Sequence, residues 1–279
     1  MNYRHAYHAG NFADVVKHVA LVAILQHLRK KDTAFAVIDT HAGRGLYDLR
    51  STEAVRTGES SRGIGRLGKL RNAPPALAAY LELVRATEPD CYPGSPLIVS
   101  RLLRSQDRLV AIEKQVDEAA ALESALAPFL RARVVRGDGY GLLAGLLPPP
   151  EKRGLVLIDP PFESQGEFRD AARALARAHL RFATGLYLLW FPGKSANEAD
   201  LLCGELLTGG IRKMVRLDID VSPGRDAQDG ALTSAGLLVV NPPFGFVDAM
   251  RSCFSLLDPL LALDPKQPSR SVVRVLAEE

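Results

Sequence analysis

The chain has three cysteines in 279 residues, far apart at Cys91, Cys203 and Cys253. A set this sparse excludes a disulfide framework. His5, His8, His18 and His41 crowd the first part of the chain, but they lack a recognised ligand spacing and no cysteine lies near them. No metal is expected. No apolar run approaches the roughly 18 residues of a membrane span. Met1-Asn2-Tyr3-Arg4-His5 is polar and has no signal-peptide core, so a cytoplasmic location is expected. The formal net charge of +3 is too small to argue for nucleic acid by itself. It is, however, unevenly spread. Residues 1–110 carry 16 Lys and Arg against 10 Asp and Glu, whereas residues 111–279 carry 19 against 22. The positive field therefore sits in the first part of the chain.

What is present is an ordinary globular composition, 47% hydrophobic and 24% charged, long enough for one large core plus an insertion. The stretch that organises it is Leu155-Val156-Leu157-Ile158-Asp159-Pro160-Pro161-Phe162. The apolar run reads as a buried strand. The prolines stop it, because Pro160 has no N–H for a ladder and both impose extended geometry. That leaves the Asp159 carboxylate at a carboxyl strand end, where open α/β sheets place ligands, followed by the ring of Phe162. An acid or amide, two prolines and an aromatic is also the pattern of methyltransferases acting on exocyclic amines of nucleobases. A proline-terminated strand with Asp159 as a turn former accounts for the same residues.

Read in order, Asn11 caps a helix with Asp14 in its first turn. Val15, Val16, Val19, Val22 and Leu25 give that helix one buried face as far as Lys30-Lys31-Asp32. Asp14 and His18 are expected to pair one turn apart on its solvated side. Ala34–Asp39 is a second strand, running into Thr40-His41-Ala42-Gly43-Arg44-Gly45, a Gly-x-Gly loop without the third glycine of the dinucleotide fingerprint. Residues 46–104 break the alternation. Arg50, Arg56, Arg62, Arg66, Lys69 and Arg71 stand there against Glu53 and Glu59, with helices expected from Pro75 to Arg85 and from Ser95 to Arg104. The basic side offers phosphate contacts or is a solvated helical face.

Alternation returns with Leu109–Glu113, whose terminal acid suits two ribose hydroxyls. Arg133–Val135 follows, with Asp138 after it placed to accept from an adenine amine. Strands 186–191, 214–221 and 236–240 complete seven, the last two forming a hairpin through Ser222–Leu232. The fold expected is α/β, Rossmann-like, of the class I methyltransferase kind: a seven-stranded, mostly parallel sheet built from residues 1–45 and 105–279, with 46–104 as a small helical insertion after the first strand. Asn241-Pro242-Pro243-Phe244 repeats the tetrapeptide pattern, but at the end of the seventh strand, which is expected to run antiparallel. It is assigned as a strand stop, with Asp159 as the functional acid.

These segments together resemble the bacterial family that methylates an adenine amine of large-subunit ribosomal RNA, ribosomal RNA large subunit methyltransferase J. The likeness runs through Tyr3-Arg4-His5, His8-Ala9-Gly10-Asn11, Asp14-Val15-Val16-Lys17-His18, Asp39-Thr40-His41-Ala42-Gly43, Tyr92-Pro93-Gly94-Ser95-Pro96-Leu97 and Asp159-Pro160-Pro161-Phe162. It continues in Arg181-Phe182-Ala183-Thr184-Gly185, Gly210-Ile211-Arg212-Lys213 and Asn241-Pro242-Pro243. The resemblance implies S-adenosyl-L-methionine as cofactor, with His18, His41, Ser95, Glu113, Asp138, Gly139 and Asp159 as its contacts. It implies Asp159 as the catalytic acceptor, and Tyr3, His5, Lys17 and Phe162 on the RNA side. A monomer acting on ribosomal RNA is expected. Two departures stand out: Phe162 takes a place more often held by Tyr, and the tail after Leu263 fits the pattern poorly.

Two rivals share these residues. A DNA adenine-N6 methyltransferase would use the same tetrapeptide and base extrusion, but the insertion is small for a duplex-reading domain. A non-catalytic RNA-binding protein on a methyltransferase fold would not need the intact set of Asp39, Gly43, Glu113 and Asp159.

Overall fold

Short apolar runs stopped by turn residues build the central sheet of the computed structural model, which describes residues 4–164, 166–193, 196–224 and 232–278. The chain begins with α1 (Phe12–Arg29) and β1 (Ala36–Asp39), then enters the insertion. There β2 (Leu46–Asp48), α2 (Thr52–Thr57), α3 (Glu59–Arg62), α4 (Pro75–Arg85) and β3 (Cys91–Pro93) follow one another, and α5 (Ser95–Leu102) leads back to the sheet. β4 (Arg108–Glu113), α6 (Val116–Leu126), β5 (Ala132–Arg136), α7 (Gly139–Leu143), β6 (Gly154–Ile158), α8 (Glu167–Arg181) and β7 (Leu186–Pro192) alternate regularly. Next come α9 (Ala196–Thr208), β8 (Met214–Asp220), β9 (Ser234–Val240), α10 (Phe246–Leu261) and β10 (Arg270–Ala277).

The strand order is β10-β8-β9-β7-β6-β1-β4-β5. β1 lies between β4 and β6, parallel to both, with Asp39 level with Ala111 and Leu157. β9 runs antiparallel between β7 and β8, as expected of the last strand of the hairpin, whose residues 225–231 lie outside the described ones. Among the described residues the sheet has eight strands rather than seven. The eighth, β10, comes from the tail and pairs antiparallel with β8. Residues 46–48 and 91–93, expected in a helical insertion, form a small antiparallel sheet of their own.

Side chains alternate across the strands, so two cores form. Val37, Leu155 and Leu157 face a layer containing α1, α4, α5 and α10, while Ile38, Val156 and Ile158 face α8 and α9. Helix α1 is buried nearly all round, because α4, α5 and α10 pack about it. This overturns the expected solvated face: Asp14 and His18 are 2% and 1% exposed and do not pair with each other.

Candidate active site

At the carboxyl ends of β5, β4, β1 and β6 lies a cleft of about 700 Å³. His5, Lys17, His18, His41, Ser95, Glu113, Asp138, Gly139, Asp159 and Phe162 all line it; Tyr3 lies outside the described residues.

Glu113 ends β4 and turns its carboxylate onto two amides, Gly43 N at 2.9 Å and Gln115 N at 2.7 Å. Burial raises its pKa, opposed by those hydrogen bonds. Gly43 sits at φ +62°, and a Cβ there would come within 2.2 Å of the Tyr47 hydroxyl, so the loop requires glycine. The neighbouring Arg44 fastens this loop to α6 through a two-pronged pair with Glu118 at 2.9 and 2.6 Å. Beyond β5, Asp138 caps α7 by accepting from Gly141 N at 2.9 Å and pairs with Lys114 at 3.2 Å. Gly139 brings this turn against β1, since a Cβ there would lie 2.1 Å from the Thr40 carbonyl oxygen.

Asp39 ends β1 fully buried, accepting from Ser95 Oγ at 2.6 Å and from His41 N at 3.3 Å. Burial pushes its carboxyl up to about 7, with Asp159 adding to the effect and Ser95 opposing it. His41 holds its ring edge-on to Tyr140 at 4.9 Å, and burial lowers it to about 4.

Asp159 follows β6, and its Oδ2 accepts from Lys17 Nζ at 2.5 Å. Lys17 also donates to Asp14 Oδ1 at 2.8 Å, and Asp14 Oδ2 in turn holds His5 Nε2 and Gly10 N, both at 2.9 Å. Burial opposes the lysine charge, but the two carboxylates outweigh it and hold the ammonium above its ordinary range. Burial would likewise raise Asp14, yet His5 and Lys17 keep it well below the usual carboxylate range. With its side chain 5% exposed, Lys17 is committed to two acids and is not open to a phosphate.

Phe162 adopts φ +50°, which turns its ring against Phe168 at 4.6 Å and Trp190 at 5.7 Å. Asn241 also has positive φ, but it does structural work: its amide donates to the carbonyls of Ala183 at 2.8 Å and Gly185 at 2.7 Å. It does not line the cleft.

Trp190 and Tyr140 line the cleft without having been singled out in the sequence. Both were within reach of strand-end reasoning. Trp190 lies near the carboxyl end of β7, beside β6, and Tyr140 directly follows Asp138-Gly139. The basic residues of the insertion are partly spent on structure. Arg66 donates to the carbonyls of Leu260 and Ala262, Arg56 lies 4.6 Å over the Tyr7 ring, and Arg50 sits between Asp48 and Asp90.

The family model described as "Ribosomal RNA large subunit methyltransferase D, RlmJ" matches residues 32–274. The chain belongs to this family. Ribosomal RNA large subunit methyltransferase J of Escherichia coli (strain K12) is 39% identical over 256 residues, 90% of this chain and 91% of that protein. Its namesake from Haemophilus influenzae is 36% identical over 262 residues, 92% of each. The crystal structure of protein LPL1258 from Legionella pneumophila str. Philadelphia 1 is 32% identical with a TM-score of 0.86, covering 96% of this chain and 98% of that one. The fold is therefore the class I methyltransferase fold, in a chain of the ribosomal RNA large subunit methyltransferase J family. No helix among the described residues is long and apolar enough to cross a membrane.

Proposed function

We propose that the chain transfers a methyl group from S-adenosyl-L-methionine to the exocyclic N6 amine of an adenine in large-subunit ribosomal RNA. One observation carries this reading: Asp159-Pro160-Pro161-Phe162 lies in the cleft at the end of β6, beside β1 and the glycine loop, with the carboxylate and the ring both lining it. The cleft fits the cofactor. Acids line it from Asp138 to Asp159, which suits a sulfonium cation, and Gly43 and Gly139 let its walls pack where a Cβ would meet the Tyr47 hydroxyl and the Thr40 carbonyl. His18 Nε2 is buried with no partner. Glu113 would hold the ribose hydroxyls, Asp138 the adenine amine, and His18, His41 and Ser95 the remainder.

The cofactor when bound supplies an electrophilic methyl group. An adenine amine is a weak nucleophile because its lone pair is delocalised into the ring. The Asp159 carboxylate and the Pro160 carbonyl accept from its two N–H groups, favouring a pyramidal nitrogen, while Phe162 stacks on the base. Transfer needs mainly alignment and charge placement, and a placed carboxylate of this kind is worth about 10²–10⁴ in rate. Lys17 neutralises Asp159 from within the protein, and His5 supports Asp14 on the RNA side. Methylated adenines mapped in ribosomal RNA from cells with and without this gene test the reading. One adenine should lose its methyl group without the gene and regain it with the wild-type chain but not with Asp159→Ala. An unchanged adenine map would refute it.

A further inference from the structure

His18 Nδ1 lies 2.7 Å from the Tyr92 hydroxyl, which lies 3.0 Å from the Tyr80 hydroxyl. The three residues are 1%, 1% and 0% exposed, and the rings of His18 and Tyr92 stack at 5.7 Å. His18 lines the cleft and neither tyrosine does, while Nε2 of His18 is a buried polar atom without a partner. Two hydrogen bonds must therefore be shared among three N–H and O–H hydrogens.

Sealed hydrogens need acceptors, and that condition selects one arrangement. If His18 Nδ1–H donated to Tyr92 and Tyr92 to Tyr80, the Tyr80 hydrogen would have no acceptor. If both Tyr80 and His18 donated to Tyr92, the Tyr92 hydrogen would be stranded. Only Tyr80 donating to Tyr92, and Tyr92 to Nδ1, leaves the single unmatched hydrogen on His18, at the buried Nε2 of the one residue of the three that lines the cleft. We infer that Tyr92, seated by Tyr80, is a positioning residue that fixes His18 in the Nε2–H tautomer, so that the ring presents a neutral donor to the aminoacyl carboxylate of the cofactor.

The carboxylate is chosen by place. With adenine at Asp138 and ribose at Glu113, the aminoacyl arm runs the other way, past β1 and β6 to α1, which carries His18. Burial holds His18 down to about 3, with Lys17 adding to it, so the ring donates as a neutral imidazole throughout the physiological range.

This inference rests on the cofactor reading given above, and the experiment separates the two. Long-range ¹⁵N–¹H spectra of the histidine-labelled full chain should show His18 protonated at Nε2 and bare at Nδ1. Tyr92→Phe should move both nitrogens toward a mixed population. It should also weaken adenosylhomocysteine about ten- to hundredfold, the range of a hydrogen bond to a charged group, while leaving 5′-methylthioadenosine, which lacks the aminoacyl arm, unchanged. Tyr80→Phe, an equal loss of one hydroxyl, leaves Tyr92 donating to Nδ1 and should change neither ligand. A wild-type His18 protonated at Nδ1 overturns the inference, as does Tyr92→Phe affecting both ligands equally or neither. If the wild type binds neither ligand, the cofactor reading falls, and with it the carboxylate assignment, while the spectra still decide the tautomer.

Discussion

Asp14 and Asp159 line the cleft on either side of one buried cation, Lys17, with the fully buried Asp39 coupled electrostatically to Asp159 and Lys17, and the balance of these charges governs the residue-scale behaviour of the site. Asp159→Ala should abolish methyl transfer in a folded protein, whereas Asn241→Ala should keep transfer per folded molecule and lower stability by about 1–3 kcal/mol by unpairing two carbonyls. RNA methylation assays beside urea denaturation distinguish these outcomes; a well-folded, inactive Asn241→Ala with an active Asp159→Ala would reverse the assignment. Asp39 provides a pH test. Its folded carboxyl titrates at about 7, whereas an unfolded aspartate titrates near 3.9, so the folded chain holds a proton that the unfolded chain releases between those values. Its contribution to stability is thus full below about pH 4 and is lost as pH rises through 7. His18 and His41, lowered to about 3 and about 4, act in the opposite sense, their contribution being lost as pH falls below about 6.5. In Asp39→Asn only the aspartate slope disappears, so the stability of the variant relative to wild type should rise by up to a few kcal/mol from pH 4 to pH 8. A constant offset across that range in denaturant melts would show that Asp39 does not titrate there.

Among the elements, β10 is held chiefly by ladder pairing with β8 and by Arg274, whose guanidinium meets Asp218 at 2.6 Å. Removing residues 268–279 should bare the edge of β8, an invitation to pairing between copies. Larger species should appear in size-exclusion chromatography, with the melting midpoint falling about 2–4 °C for each kcal/mol lost; a monodisperse truncation of unchanged midpoint would show that the strand is dispensable. β10 also shows where sequence reasoning stops. The strands ending in Asp39, Glu113 and Asp159 could be read because burial on both faces demands continuous apolar runs and the residues after them end the run. β10 carries Arg270 and Arg274 and leaves Val275 half-exposed, since an edge strand needs partners more than burial. The three-residue strands β2 and β3 are too short to show a period, and α10 keeps Pro259 within its last turn, which hides it as a helix. Helix α1 shows one apolar stripe in sequence, but its burial depends on three other helices, so the inward turn of Asp14, Lys17 and His18 is a tertiary fact. The strand-end acids of the site were therefore legible, and the Lys17–Asp159 pair between them was not.

At the scale of the molecule, positive charge gathers in the first 110 residues while the acids of the cleft hold the center. Among the exposed cations of the insertion, Lys69 and Arg71 have no acidic partner among the described residues. Replacing both with Gln should reduce the slope of log affinity for RNA against log salt by up to about 2, leaving adenosylhomocysteine affinity unchanged; an unaltered slope in filter binding would place the RNA elsewhere. The bond from Lys17 to Asp159 spans 142 positions of sequence. On a ribosome the helix bearing Lys17 is made first, yet its partner, the strand before that partner and α10 which covers it are all made later. So distant a contact closes late in folding. The Asp159 carboxylate and its counter-ion thus meet only when the later strands are in place, and an unfinished chain has no assembled cleft to present to the ribosomal RNA around it.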